Sequence, residues 1–207
     1  MNRRPPVLTV DYYFTLVSPW TYIGDSLLKE ICDEHGAAIR HIPVNLGRVF
    51  EATGGLPLAK RSEARKALRM QELRRWREYR NVVLNLEPAH FPVSDKMAAG
   101  MVIAAQETGQ DVYEFCHAIM RAVWAEERDI SDGDAMLQIA NDCGLDGKLL
   151  QAAAASPTVL QKWEADTDRA IERGVMGAPF YIIREETLWG QDRLEFVDRI
   201  LADASKQ

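Results

Sequence analysis

The chain has 207 residues, 47% of them hydrophobic and 27% charged, which is enough to bury a core without disulfide or metal staples and too apolar for a disordered segment. Lysine plus arginine number 25 against 31 aspartate plus glutamate. The resulting net charge of −6 disfavours a bulk electrostatic grip on nucleic acid or anionic lipid, and neither nucleic acid nor membrane is an expected partner.

Met1-Asn2-Arg3-Arg4-Pro5-Pro6 holds no apolar signal core, and no segment approaches the roughly 20 apolar residues of a membrane helix. Val7 to Phe14, β-branched and aromatic, predicts a strand that breaks at Ser18-Pro19. Ser18 suits a helix cap and Pro19 a first turn; Ile23, Leu27 and Ile31, with Leu28 and Cys32, then recur at i+4 up to Gly36. A helix over about 19–35 follows, then a strand from Ala38 to Val44, a βαβ unit with a parallel pair. From Lys60 to Arg173 the period is helical: Val102, Ala105, Val112, Phe115, Cys116, Ile119, Met120 and Val123 fit apolar stripes. Breaks at Phe91-Pro92, Ser94-Asp95, Gly109, Ser131, Gly144 and Ser156-Pro157 divide this block into four to six helices. After Gly174 the pattern becomes extended again, with a strand from Pro179 to Arg184, a turn at Glu185-Glu186, a strand from Thr187 to Gly190 and a closing helix from Asp192 to about Ala202.

A βαβ start and a ββα finish around helices imply an α/β, thioredoxin-like fold with a large inserted all-helical domain. Residues 7–58 and 174–204 then form a discontinuous thioredoxin-like domain and 59–173 the insert; a helical bundle with a small sheet is the other arrangement this order allows. Cys32, Cys116 and Cys143 are an odd number at helical apolar positions, as reduced thiols usually are, so the expected compartment is the cytoplasm. Thioredoxin-like oxidoreductases carry two cysteines at the strand-to-helix turn, where this chain has Ser18 and Thr21, so dithiol exchange is impossible there. What remains is a hydroxyl at a helix N-terminus, readable either as a plain cap or as a holder for an external thiolate.

Ala178-Pro179, after Val175-Met176-Gly177, predicts a cis-proline loop set against the Ser18 turn. Lys60 to Arg80 holds nine basic residues against three glutamates, a local +6 that reads as a solvated helix or as a field that draws a carboxylate. His35, His41, His90 and His117 show no metal spacing, and no metal is expected. Trp20, Trp76 and Trp124 either line an aromatic cavity or fill the core.

Asp11-Tyr12-Tyr13-Phe14 with Ser18-Pro19, the pair Arg75-Trp76, Ala122-Val123-Trp124, Val175-Met176-Gly177-Ala178-Pro179 and Trp189-Gly190-Gln191-Asp192-Arg193 together resemble the 2-hydroxychromene-2-carboxylate isomerase family. That family lies in a group with kappa-class glutathione transferases and DsbA-type thioredoxin-like proteins. The resemblance implies glutathione as cofactor, with Ser18 activating its sulfur, Ala178 and Pro179 pairing with its main chain, and Gln191 and Asp192 receiving its γ-glutamyl end. It implies a small-molecule aromatic carboxylate as substrate, facing Lys60, Arg61, Trp20 and Trp76, a role in degrading aromatic compounds, and a homodimer. The implied reaction is thiolate addition, ring opening, bond rotation and elimination, with glutathione regenerated. Gly54-Gly55-Leu56-Pro57 and Leu68 depart from the family's Gly-Asn and tyrosine on the side expected to face the second substrate. A kappa-like transferase or peroxide reductase, or a non-catalytic thioredoxin-like binding module, is the alternative.

Overall fold

The computed structural model describes residues 7–204; Met1–Pro6, read above as lacking a leader core, lie outside them. Strand β1 (Thr9–Phe14) leads into helix α1 (Pro19–Glu34) and strand β2 (Ala38–Pro43), and β1 and β2 pair in parallel with Tyr12 opposite His41. Strand β3 (Phe180–Ile183) returns antiparallel on the other side of β1, with Tyr12 opposite Tyr181, and β4 (Glu186–Trp189) pairs with β3. The sheet order β2-β1-β3-β4 makes β1 an interior strand. Its alternation follows from having both faces covered: Val10, Tyr12 and Phe14 join Tyr181 and Ile183 in the larger core, while Tyr13 joins Phe180 and Ile182 in a second one. Asp11, only 6% exposed within this strand, is neutralised by Arg40 and Arg173, each at 2.5 Å.

The predicted element order is observed, and the helical block contains six α-helices: α3 (Glu63–Tyr79), α4 (Lys96–Glu107), α5 (Tyr113–Trp124), α6 (Gly133–Asp142), α7 (Gly147–Ala154) and α8 (Pro157–Glu172), with α9 (Leu194–Ala204) at the end. One helix escaped the sequence reading, α2 (Leu46–Thr53), capped by Asn45 and stopped by Gly54 in the left-handed region. Its boundaries carry ordinary signals and Leu46, Val49 and Phe50 recur at i, i+3 and i+4, but eight residues are too few for that spacing to repeat, and Val49 is its one fully buried side chain. Boundaries elsewhere shift slightly. The β3–β4 turn falls at Arg184-Glu185 rather than Glu185-Glu186, because Arg184 takes a positive φ of 56° and turns the chain one residue earlier. The closing helix begins at Leu194 after a 3-10 turn over Gln191–Arg193.

Helix α4 is buried from Ala98 through Ala105, an apolar core rod around which the other helices gather. On α1, Gly24 lets the Gln191–Arg193 turn approach closely: a Cβ on Gly24 would lie 2.7 Å from Gln191 Cβ. Gly24→Ala should therefore destabilise the protein by about 1–3 kcal/mol in urea denaturation, overriding the helix-propensity gain of about 1 kcal/mol that an alanine ordinarily brings.

Candidate functional site

Four segments converge where β1 ends and α1 begins. Ser18 takes an extended backbone (φ −82°, ψ 122°) and its Oγ accepts from the Thr21 amide at 3.3 Å, while its carbonyl accepts from Tyr22. The hydroxyl therefore caps α1, as one reading of the sequence holds, yet its own O–H remains a donor. Ser18 is 8% exposed and the hydroxyls of its neighbours Thr15 and Thr21 are more deeply buried, with no hydrogen-bond partner among the described residues.

The second segment is the loop before β3. The Ala178-Pro179 bond is cis, as predicted, and so is Phe91-Pro92, which the sequence reading left unspecified. Antiparallel register sets Tyr13 opposite Phe180, so Ala178-Pro179 precedes β3 at the same end of the sheet at which β1 runs into the Ser18 turn. Pro179 is buried, Ala178 half-buried, and the Pro179 carbonyl accepts from Gly190 at 2.9 Å, which ties this loop to the start of the third segment. Gly190 holds φ at +106°, a conformation open to glycine, and a Cβ there would strike the Asp192 carboxylate at 2.4 Å. Gln191 is 3% exposed with its Oε1 unpartnered, and Asp192 is exposed beside Arg193. Gln191 rests on α1 at Gly24, about 9 Å along the axis from Ser18 at 1.5 Å per residue.

The fourth contribution was not anticipated. Asp95, read in the sequence as the start of a helix, makes no side-chain cap on α4; its Oδ2 instead accepts from the backbone amide of Leu16 at 3.2 Å, two residues before Ser18. Burial pushes its carboxyl up to about 6, an effect its backbone hydrogen bonds only partly offset. An Asp next to a helix start is locally indistinguishable from a cap, so the signal for this long-range role was absent from the sequence.

The remaining predicted residues lie on α1, α3 and the turn before α3. Trp20 and Trp76 are half-buried against the core, Trp76 edge-on to Tyr79 and under Arg80, whereas Trp124 is completely buried. Lys60 is exposed; Arg61 donates from Nε to the Leu56 carbonyl and lies over the Phe50 ring. Two surface clefts of about 250 and 370 Å³ lie elsewhere, the first between β2, α4 and α8 and the second between α5 and α6, and neither is lined by these residues. The cysteines stand apart from the Ser18 turn, and burial raises all three thiols, Cys32 to about 12. His35 approaches Asp198, His117 approaches Asp25, and His41 is buried with its pKa lowered by desolvation. No group of His, Cys, Asp and Glu among the described residues could hold a metal ion, and no helix among them is long and apolar enough to cross a membrane.

The family model for a DSBA-like thioredoxin domain matches residues 9–202. The chain is 29% identical over 196 residues to 2-hydroxychromene-2-carboxylate isomerase of Sphingobium xenophagum, covering 94% of this chain and 98% of that one. It is 20% identical to glutathione S-transferase kappa 1 of Caenorhabditis elegans, over 95% of this chain and 92% of the relative. Among solved structures, a 2-hydroxychromene-2-carboxylate isomerase superposes with a TM-score of 0.83 at 25% identity, covering 96% of this chain and 97% of the other.

The Asp95 carboxyl carries a pH signature. Its folded pKa is raised to about 6, so between about pH 4 and 6 the folded state binds the proton more tightly than the unfolded chain, and this group's contribution to stability falls as pH rises through that window. Asp95→Asn keeps an oxygen for the Leu16 amide and removes the ionisation. Urea denaturation at pH 4, 5, 6 and 7 should show the stability of the variant relative to the parent rising through that window and levelling above it.

Proposed function

Because the chain belongs to the DSBA-like thioredoxin domain family, we propose that it is a glutathione-dependent cis-trans isomerase of an aromatic carboxylate of the 2-hydroxychromene-2-carboxylate kind. The observation that carries this reading is the Ser18 hydroxyl, buried at the N-terminus of α1 with a free O–H, in the turn where a dithiol enzyme would hold its cysteines. The near full-length likeness to proteins named as such isomerases supports it. The residues present suit glutathione: Thr15, Thr21 and Gln191 each have a buried side-chain oxygen with no partner among the described residues, as a polar ligand-binding edge requires.

When bound, glutathione supplies the thiolate whose reversible addition opens the chromene ring, allows bond rotation and ends in elimination, so that none is consumed. In this reading the Ser18 hydroxyl donates to the sulfur, and the unpaired amides of the first turn of α1 favour its negative charge. Ala178, beside the cis Pro179, offers main-chain hydrogen bonds to the tripeptide. Gln191 Oε1 and the Asp192 carboxylate accept from its ammonium group. Lys60 and Arg61 draw the carboxylate-bearing second substrate to the site, with Trp20 and Trp76 lining the aromatic cavity that receives it. The protein works in the cytoplasm as a homodimer.

A kappa-like transferase is the second reading, favoured by the likeness to that class; it would consume glutathione in proportion to product, whereas the isomerase leaves its concentration unchanged over many turnovers. Ser18→Ala should lower kcat by roughly 10- to 100-fold, the equivalent of losing a hydrogen bond to a charged group at about 1.5–3 kcal/mol. Stability should fall by about 1 kcal/mol for the lost cap, while glutathione affinity changes little. Full turnover per folded molecule with an unshifted pH profile would reduce Ser18 to a cap. Replacing Cys32, Cys116 and Cys143 together by alanine should leave turnover of the folded variant within about twofold, since burial keeps each as an unreactive thiol. A large loss in that variant would point to redox chemistry instead.

A further inference from the structure

Arg69 and Arg80 are half-buried cations of the basic stretch whose side chains have neither a carboxylate nor a carbonyl partner among the described residues, but Arg80 is covered by two rings, Trp76 and Tyr79, whereas Arg69 is not. Arg75 pairs with Glu72, Lys66 with Glu63, and Arg77 donates to the Leu84 carbonyl at 3.0 Å. Arg69 lies at i−4 from the fully buried Leu73 and i−7 from Trp76, which places it on the stripe of α3 that turns toward the core. Its guanidinium stands 5.8 Å over the Phe91 ring, and its one hydrogen-bond partner among the described residues is the Met70 sulfur at 3.8 Å. No carboxylate of the described residues is paired with it. Burial, and to a lesser degree the charge of Arg61, lower its pKa to about 10. A half-buried cation left with a ring, a thioether and a like charge is an unbalanced arrangement, and an anionic group from outside the chain would balance it.

The surroundings restrict what that anion is. Phe91 packs at 4.8 Å on Trp124, giving the guanidinium an aromatic wall. Phe91 also lies four residues before Asp95, whose carboxylate holds the Leu16 amide, so one loop connects the Arg69 guanidinium to the Ser18 turn. Arg61, constrained by its bond to the Leu56 carbonyl, supplies a second positive charge nearby. We propose that Arg69, supported by Arg61, is the carboxylate-recognising residue for a planar aromatic acid whose ring packs on the Phe91 side. The choice of an aromatic acid rests on the isomerase reading above; the need for a carboxylate rests on the unpaired guanidinium, whose fork matches that group in two parallel hydrogen bonds.

Equilibrium binding of 2-naphthoate and of its uncharged analogue 2-naphthamide, measured calorimetrically without glutathione, tests the assignment. The parent protein should bind the acid at least tenfold more tightly than the amide, Arg69→Met should abolish that preference while leaving amide binding unchanged, and Arg69→Lys should retain part of it. Arg69→Met keeps an apolar side chain of similar reach on Phe91, and its thermal midpoint should equal or exceed the parent's. Glutathione affinity, titrated separately, should be the same in all three proteins. Equal binding of acid and amide by the parent would overturn the proposal whatever the variants do. A variant that loses glutathione affinity but keeps its preference for the acid would overturn it too, by assigning the cation to the tripeptide. Turnover plays no part in this measurement, so an absence of isomerisation would remove the isomerase reading and leave the carboxylate preference to be decided by the binding data alone.

Discussion

The hydroxyl of Tyr12, in the middle of the interior strand, donates to the carboxylate of Asp25 on α1 at 3.3 Å, and the other oxygen of that carboxylate meets His117 Nδ1 of α5 at 2.9 Å. The Tyr12 ring is stacked between Phe14 at 4.8 Å and Tyr181 at 5.5 Å, so it can move neither along the sheet nor away from it. Asp25 is 1% exposed, so removing Tyr12 or His117 leaves one of its buried oxygens without a hydrogen-bond partner. This chain of contacts fixes the axial position of α1 against the sheet and fastens the helical region to both. The height at which Ser18 meets the end of β1 follows from it.

Around that anchor, close approaches between segments shape the site. Gly24 admits the Gln191–Arg193 turn to α1, and the Gly190 amide bonded to Pro179 aligns the same turn with the cis-proline loop. Asp95 holds Leu16 from the helical side. Thr15, Thr21 and Gln191 leave buried oxygens without a partner among the described residues in these segments. The separation of the three cysteines from this edge agrees with a turn built from hydroxyls: thiol chemistry here would have to come from a ligand.

Much of this was legible in the sequence because local rules and the global fold agree. Ser18-Pro19 started a helix where a cap and a first-turn proline should, the β-branched and aromatic run from Val7 to Phe14 marked an interior strand, and Pro179 followed a glycine-punctuated turn. Periodicity also separated the six helices of the central block from the sheet. What escaped was either short or distant. Helix α2 is too short, at eight residues, for its apolar spacing to repeat, and the Asp95 carboxylate spans 79 positions to reach Leu16, a pairing that no window of sequence contains. The inward face of α3 could have been found from the spacing of Arg69, Leu73 and Trp76, but only once Leu73 was known to enter the core, since nine cations in the stretch mask which one turns inward.

The sheet order has a consequence for how the protein comes into being. Ser18 belongs to the first tenth of the chain, while the cis-proline loop and Gln191–Asp192 belong to the last sixth, and β1 gains its second neighbour only when β3 arrives. During synthesis at about 5–20 residues per second, roughly 10–35 s separate the emergence of these two halves of the site. Through that interval β1 has β2 on one edge and an open ladder on the other, an aromatic strand exposed to pairing with neighbouring nascent chains. The sheet is therefore completed by the final segment, and ligand binding across that seam would favour the finished fold over any chain stalled before it.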